Sequence, residues 1–178
     1  MNTKLLVSAL LIILLSQNSI AQKLNHLKGT AFPKDVLSVT LYKENGDSTT
    51  FKKVLKKLKG TVVYLDFWAS WCGPCIREMP KSKKIQEYFV GKNVSFLYLS
   101  TDTQHEKWIA GMKRINIAGH HYRIKPEDKI LFKRLFNIPG IPYYVIIDKK
   151  GNIAEPRADW PREERVLKQI QKVLNKDM

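Results

Sequence analysis

The run Thr61-Val62-Val63-Tyr64-Leu65-Asp66-Phe67-Trp68 is rich in strand-forming residues and apolar on both alternating faces, broken only by Asp66. A strand with two apolar faces must be covered on both sides, so it belongs at the centre of a sheet sandwiched by other elements. Residues 94–100 and 143–147 repeat this pattern. Between and after these runs the apolar residues take helical spacing. Trp108, Ile109, Met112 and Ile115 share one helical face, residues 127–136 form a second helix candidate, and residues 162–174 carry the stripe Val166, Leu167, Ile170, Val173 and Leu174. A helix should also follow Trp68, ending near Val90 before Gly91 and kinked at Pro80. Strands alternating with helices predict an α/β domain with a central sheet flanked by helices.

The flanking segments refine this expectation. Residues 22–35 read as an irregular lead-in. Residues 36–42 read as a short strand, Asn45-Gly46 as a hairpin turn and residues 49–51 as the returning strand, which makes an N-terminal β-hairpin extension. Asp148–Gly151 reads as a turn into a short strand around Ile153, so the sheet should be mixed. Residues 117–125 read as a loop with a short strand. Thr103-Gln104-His105-Glu106 has the spacing of a capping box. Phe51, Val54, Leu55 and Leu58 mark one face of a short helix, and the lysines at 52, 53, 56, 57 and 59 its solvated face. At 178 residues and 44% hydrophobic, the chain has the material for one domain with a real core.

The N-terminus reads as an export signal: Lys4, the aliphatic run Leu5–Leu15, then small residues at Ser19 and Ala21 before Gln22. The alternative is an uncleaved anchor, but eleven apolar residues fall short of the roughly 20 needed to cross a bilayer as a helix. The expected organisation is a signal peptide over residues 1–21 and one domain over residues 22–178, exported to the periplasm or cell envelope. The formal charge of +15 favours anionic envelope surfaces as contacts. The basic residues are dispersed and come with no nucleic-acid motif, so no nucleic-acid partner is expected.

The chain holds two cysteines, Cys72 and Cys75, both in Trp71-Cys72-Gly73-Pro74-Cys75. A disulfide here closes a loop too short to stabilise a fold by restricting the unfolded chain. Cys72 follows a buried strand and opens a helix, where free N–H groups and the helix dipole favour a thiolate, the nucleophile of disulfide exchange. Cys75 is within reach to resolve a mixed disulfide. Pro74 is tolerated in a first helical turn, and Gly73-Pro74 is the pair that tunes redox potential toward the reducing end. A zinc site would need two further ligands, and His26, His105, His120 and His121 lack the spacing to supply them, so no metal and no cofactor is expected. These histidines read as surface or loop residues. Asp66, buried in its strand, should have a raised pKa and could accept the Cys75 proton; Glu78, one turn after Cys75, is the other candidate. Proline is unusual at the start of a strong strand, so Pro142 or Pro139 marks a special geometry such as a cis peptide.

Taken together, Asp66-Phe67-Trp68-Ala69-Ser70-Trp71-Cys72-Gly73-Pro74-Cys75, Pro80 and Gly140-Ile141-Pro142 resemble the active-site strand, kinked helix and cis-proline segment of the thioredoxin superfamily. The pattern Cys72-x-x-Cys75-x-x-Glu78-x-Pro80 is similar to the exported TlpA/ResA-like subfamily of bacterial disulfide reductases, over about residues 30 to 175. The resemblance implies a thioredoxin-like fold with a helical insertion before the cis-Pro strand, and Pro142 as the cis-proline. It implies that Trp71, Gly73, Pro74, Ile141 and Pro142 meet the substrate, and that Cys72, Cys75, Asp66 and Glu78 do the chemistry. It further implies reduction of disulfides in exported proteins, a membrane thiol-transfer protein as reductant, and a role in preparing apocytochrome c thiols. Asp66 is a departure, since many members of that subfamily have a neutral residue there; with Glu78 also present, the proton acceptor stays undecided. A peroxidase is set aside because Ala69 and Leu65 replace the Thr and Pro that such enzymes place before the reactive cysteine. The non-enzymatic alternatives are a redox-inactive binding module of the cell envelope, which leaves the intact cysteine pair without a purpose, and a metal-handling one, which needs a third ligand that the sequence does not offer.

Overall fold

The computed structural model describes residues 19–176. Its centre is a seven-stranded mixed sheet in the order β2-β1-β5-β4-β3-β6-β7. The strands are β1 (Thr40–Tyr42), β2 (Ser48–Thr50), β3 (Val62–Trp68), β4 (Val94–Ser100), β5 (His120–Ile124), β6 (Tyr143–Ile147) and β7 (Ile153–Glu155). β3 and β5 run parallel to β4, and the other pairs are antiparallel. The labelled helices are α1 (Lys34–Leu37), α2 (Phe51–Lys57), α3 (Gly73–Tyr88), α4 (His105–Ile115), α5 (Lys129–Phe136) and α6 (Arg165–Lys176). A 3-10 turn, Pro126–Asp128, leads into α5.

Every residue of β3 is buried, as a central strand with two apolar faces requires. Its alternation divides the interior into two cores. Val63, Leu65 and Phe67 face one core, where Phe32, Phe51, Phe132 and Phe136 meet edge to face with centroids 5.0–6.1 Å apart. Val62, Tyr64 and Trp68 face the other, with Cys72, Cys75, Met79, Trp108 and Ile170. Asp66 lies on that second face by the same alternation.

Several sequence expectations are corrected. The lead-in is not irregular, because residues 19–27 are helical with Leu24 buried. Residues 34–37 are helical rather than extended: Phe32 and Val36 sink into one core at a spacing of four, and burial outweighs the strand preference of valine. The Thr103–Glu106 capping box does not form. Arg123 Nη1 donates to the Thr103 carbonyl at 3.2 Å, which holds that backbone outside the helix, so α4 starts after Gln104 with no side-chain cap. His120 and His121 lie on β5 rather than in a loop, and the His121 ring stacks on Tyr98 with centroids 4.8 Å apart. The short strand expected within residues 117–125 is β5, which lies between β4 and the N-terminal hairpin.

Most of the expected export signal, residues 1–18, lies outside the described residues. Among the described residues no helix is long and apolar enough to cross a membrane. Gly29 N–H donates to the Ile153 carbonyl at 2.7 Å and Ile153 N–H to Thr30 at 2.9 Å, so the lead-in covers backbone of the β7 edge strand.

Candidate active site

The central strand ends at Trp68, and four residues later the chain enters α3. Cys72 is the N-cap of α3, with extended backbone, and its sulfur accepts from the Cys75 N–H at 3.2 Å. Pro74 sits in the first turn, where its missing N–H leaves nothing unpaired. Cys72 and Cys75 are joined as a disulfide. Cys72 is 4% exposed and Cys75 fully buried, so both are covered and Cys72 is the less deeply buried of the two. Trp71 beside it is 68% exposed.

The chain returns to this loop from across the sheet. The Ile141–Pro142 peptide bond is cis, and the Ile141 carbonyl oxygen lies 3.6 Å from Cys72 Sγ. On one side of this segment is a cavity of about 640 Å³, lined by Trp71, Phe67, Ile130, Ile138 and Ile141, with Lys129 and Lys133 among its walls. On the other side Tyr144, Arg157, Trp160 and Arg162 form a more polar recess.

Two carboxylates near the redox loop in the sequence are buried, Asp66 on β3 and Glu78 on α3. Asp66 is 1% exposed, and neither of its oxygens has a hydrogen-bond partner. Its register neighbours are Tyr98 on β4 and Tyr144 on β6. Burial pushes its carboxyl well above the ordinary carboxylate range, and the nearby charge of Glu78 adds to the effect. Burial raises Tyr98 and Tyr144 too, with Asp66 contributing to both. Glu78 is also buried, but it accepts from the Arg162 backbone N–H at 3.2 Å, the Arg162 side chain at 3.1 Å and Lys81 Nζ at 3.4 Å.

Sequence reasoning missed the clamp that holds the loop. Asp102, just after β4, is 1% exposed and accepts from Ser70 N–H at 2.9 Å, Ser70 Oγ at 2.7 Å and Ser100 Oγ at 2.7 Å. Arg114 Nη2 donates to the Ser70 carbonyl from α4. Gly111 makes this approach feasible, because a Cβ there would stand 2.6 Å from Ser70 Cβ. The residue two before Cys72 is thus held from two other elements. The available signal was a lone acid at the end of a buried strand, which no local pattern distinguishes from a turn residue. Asp102→Ala leaves the Ser70 N–H and two hydroxyls without their acceptor. Urea unfolding should show a loss of about 2–3 kcal/mol, while Asp102→Asn, which keeps one acceptor oxygen, should lose less.

Among the described residues no group of three His, Cys, Asp or Glu side chains is arranged to hold a metal ion.

Comparison with known proteins agrees with this geometry. The family profile described as thioredoxin-like matches residues 60–153, from β3 to the start of β7. The thiol–disulfide oxidoreductase ResA of Bacillus thuringiensis (strain Al Hakam) is 31% identical over 105 residues, covering 58% of this chain and 59% of that protein's length. The crystal structure of a candidate thiol–disulfide oxidoreductase from Bacteroides vulgatus superimposes with a TM-score of 0.63 at 31% identity, covering 75% of this chain and 90% of that one. The thioredoxin domain of another Bacteroides vulgatus oxidoreductase shares the fold, with a TM-score of 0.68 at 22% identity over 83% of this chain and 98% of that one.

Proposed function

The chain belongs to the thioredoxin-like family, and we propose that it is a thiol–disulfide oxidoreductase that reduces disulfides of exported proteins through a Cys72–Cys75 cycle. The observation that carries the reading is the arrangement of the two sulfurs. One, 4% exposed, caps a helix N-terminus against the cis Ile141–Pro142 segment, and the other is fully buried. Such a pair has a fixed order of attack.

In the reduced protein the Cys72 thiolate is stabilised by the N-terminus of α3. It attacks one sulfur of the substrate disulfide, a Cys72–substrate bond forms, and the other substrate sulfur leaves as a thiolate and takes a proton from solvent. Cys75 then loses its proton and attacks Cys72 Sγ. The second substrate sulfur departs as a thiol, and the Cys72–Cys75 disulfide remains. Two electrons have passed from the protein to the substrate. Asp66 is the better acceptor for the Cys75 proton, because its oxygens are unpartnered while both oxygens of Glu78 are engaged. Trp71, Gly73, Pro74, Ile141 and Pro142 frame the entering polypeptide.

Export rests on the Lys4 and Leu5–Leu15 pattern and makes this a periplasmic or envelope protein. Its reductant is then a membrane thiol-transfer protein. Its substrates are disulfide-bearing exported proteins, apocytochrome c among them, and the net positive charge suits anionic envelope surfaces.

The test is the reduction potential of the Cys72–Cys75 pair in dithiothreitol or glutathione buffers. A value near that of thioredoxin, about −270 mV, is expected. A value near about −120 mV would overturn the reductase reading in favour of an oxidase. A pair that does not cycle at all would turn the proposal toward a binding module.

A further inference from the structure

Asp66 and Glu78 are both buried, yet only Glu78 is tied down. One residue supplies most of that restraint. Arg162 reaches in from the loop ahead of α6, 84 positions along the chain. It gives Glu78 a main-chain donor at 3.2 Å and a side-chain donor at 3.1 Å. The Arg162 guanidinium lies 4.2 Å over the Trp160 ring, which packs edge-on against Tyr144. Its Nε also faces Glu163 at 3.5 Å, on the outer side. Arginine suits this post because it is always charged and offers several donors in a rigid plane.

Resting on the reading of Cys72–Cys75 as a redox pair, we infer that Arg162 is a positioning residue of the redox centre, engaging both oxygens of Glu78 so that Asp66 is left as the carboxyl group free to exchange the Cys75 proton. Arg162 acts through Glu78. A buried carboxylate keeps its charge only when it is paired and hydrogen-bonded. With Glu78 charged, a second negative charge on Asp66 is opposed, which agrees with the contribution of Glu78 to the raised Asp66 carboxyl. Without Arg162 the remaining cation on Glu78 among the described residues is Lys81, itself 44% exposed. Tyr64 on β3, Tyr98 on β4 and Tyr144 on β6 also face these acids, and burial keeps all three phenols neutral. The titratable groups around Asp66 are therefore Glu78 and these three tyrosines, with Lys81 and Arg162 on the Glu78 carboxylate.

The experiment uses the full chain, reduced, with an aromatic disulfide (dithiobis-nitrobenzoate) as probe. The first released thiol reports attack by Cys72, and the second reports resolution by Cys75. Arg162→Gln should shift the pH midpoint of the second phase by about 1 unit, the lower end of what a changed neighbouring charge produces. Arg162→Lys, which keeps the cation, should move it much less. In a Glu78→Gln background Arg162→Gln should move nothing. Arg162 is 46% exposed, so these variants retain the fold. An unmoved midpoint in Arg162→Gln, or an equal shift in the Glu78→Gln background, overturns the inference while leaving the redox reading intact. Wild-type protein that releases only one equivalent overturns the redox reading and this inference with it.

Discussion

Replacing Cys75 with serine should yield a protein that attacks disulfides and then stays attached to them. Cys72 keeps its helix N-terminus in this variant, so the first exchange proceeds. The second is lost, because the sulfur that resolves the mixed disulfide from three residues away is gone and serine cannot replace it. Intramolecular reaction at a well-oriented site corresponds to effective concentrations far above any soluble thiol. Multiple-turnover reduction of a protein disulfide should therefore fall by on the order of 10³-fold or more. Mass spectrometry under non-reducing conditions should find the substrate joined to the variant through Cys72. Cys72→Ser should form no such adduct, since Cys75 is sealed. Adducts of comparable yield on Cys72→Ser would reverse the assigned order of the two sulfurs.

The second large effect concerns Asp66 and runs in opposite directions for stability and activity. Its carboxyl is buried without a partner, and its folded-state pKa lies well above the unfolded value. The folded protein therefore binds this proton more tightly than the unfolded chain does. The resulting stability is fully present below the unfolded pKa and is lost as pH rises through the folded one. Asp66→Asn removes the titration. Urea unfolding of the oxidised proteins should give similar stabilities near pH 4, with the variant pulling ahead as pH rises. Its advantage at pH 8 should be on the order of 2 kcal/mol or more, because an ionised, unpaired buried carboxylate is that costly. The same variant should resolve mixed disulfides about 10²-fold more slowly, the loss expected when a positioned base is removed. Equal stability at both pH values would show that Asp66 ionises without cost, and a partner such as buried water would have to be found for it.

The periodic segments are legible in the residue pattern alone. β3, β4 and β6 match their apolar runs closely, because a run apolar on both faces has only the centre of a covered sheet in which to lie. The start of α3 at the cysteines is legible as well, since Gly-Pro after a buried strand suits a first helical turn. The N-terminal third is less so. Val36 has a strand preference, but it enters the same core as Phe32 from a short helix, and that core is completed by Phe51 and Phe136 farther along the chain. The capping box fails for a similar reason: its spacing is local, whereas Arg123 comes from another strand.

The site divides along the same line. The chemistry of the pair Cys72 and Cys75, and the burial of Asp66, follow from residues adjacent in the chain, where covalent spacing and strand alternation leave few alternatives. The roles of Asp66 and Glu78 could not be separated that way, because both are acids within reach of Cys75. Their difference arises from Arg162, 84 residues from Glu78, and the loop itself is held by Asp102, 32 residues from Ser70. Hydrogen bonds at such separations depend on where the sheet brings two distant backbones together. Local sequence therefore determined which groups can react, and tertiary structure alone decided which of the two acids is paired and which is left free to move a proton.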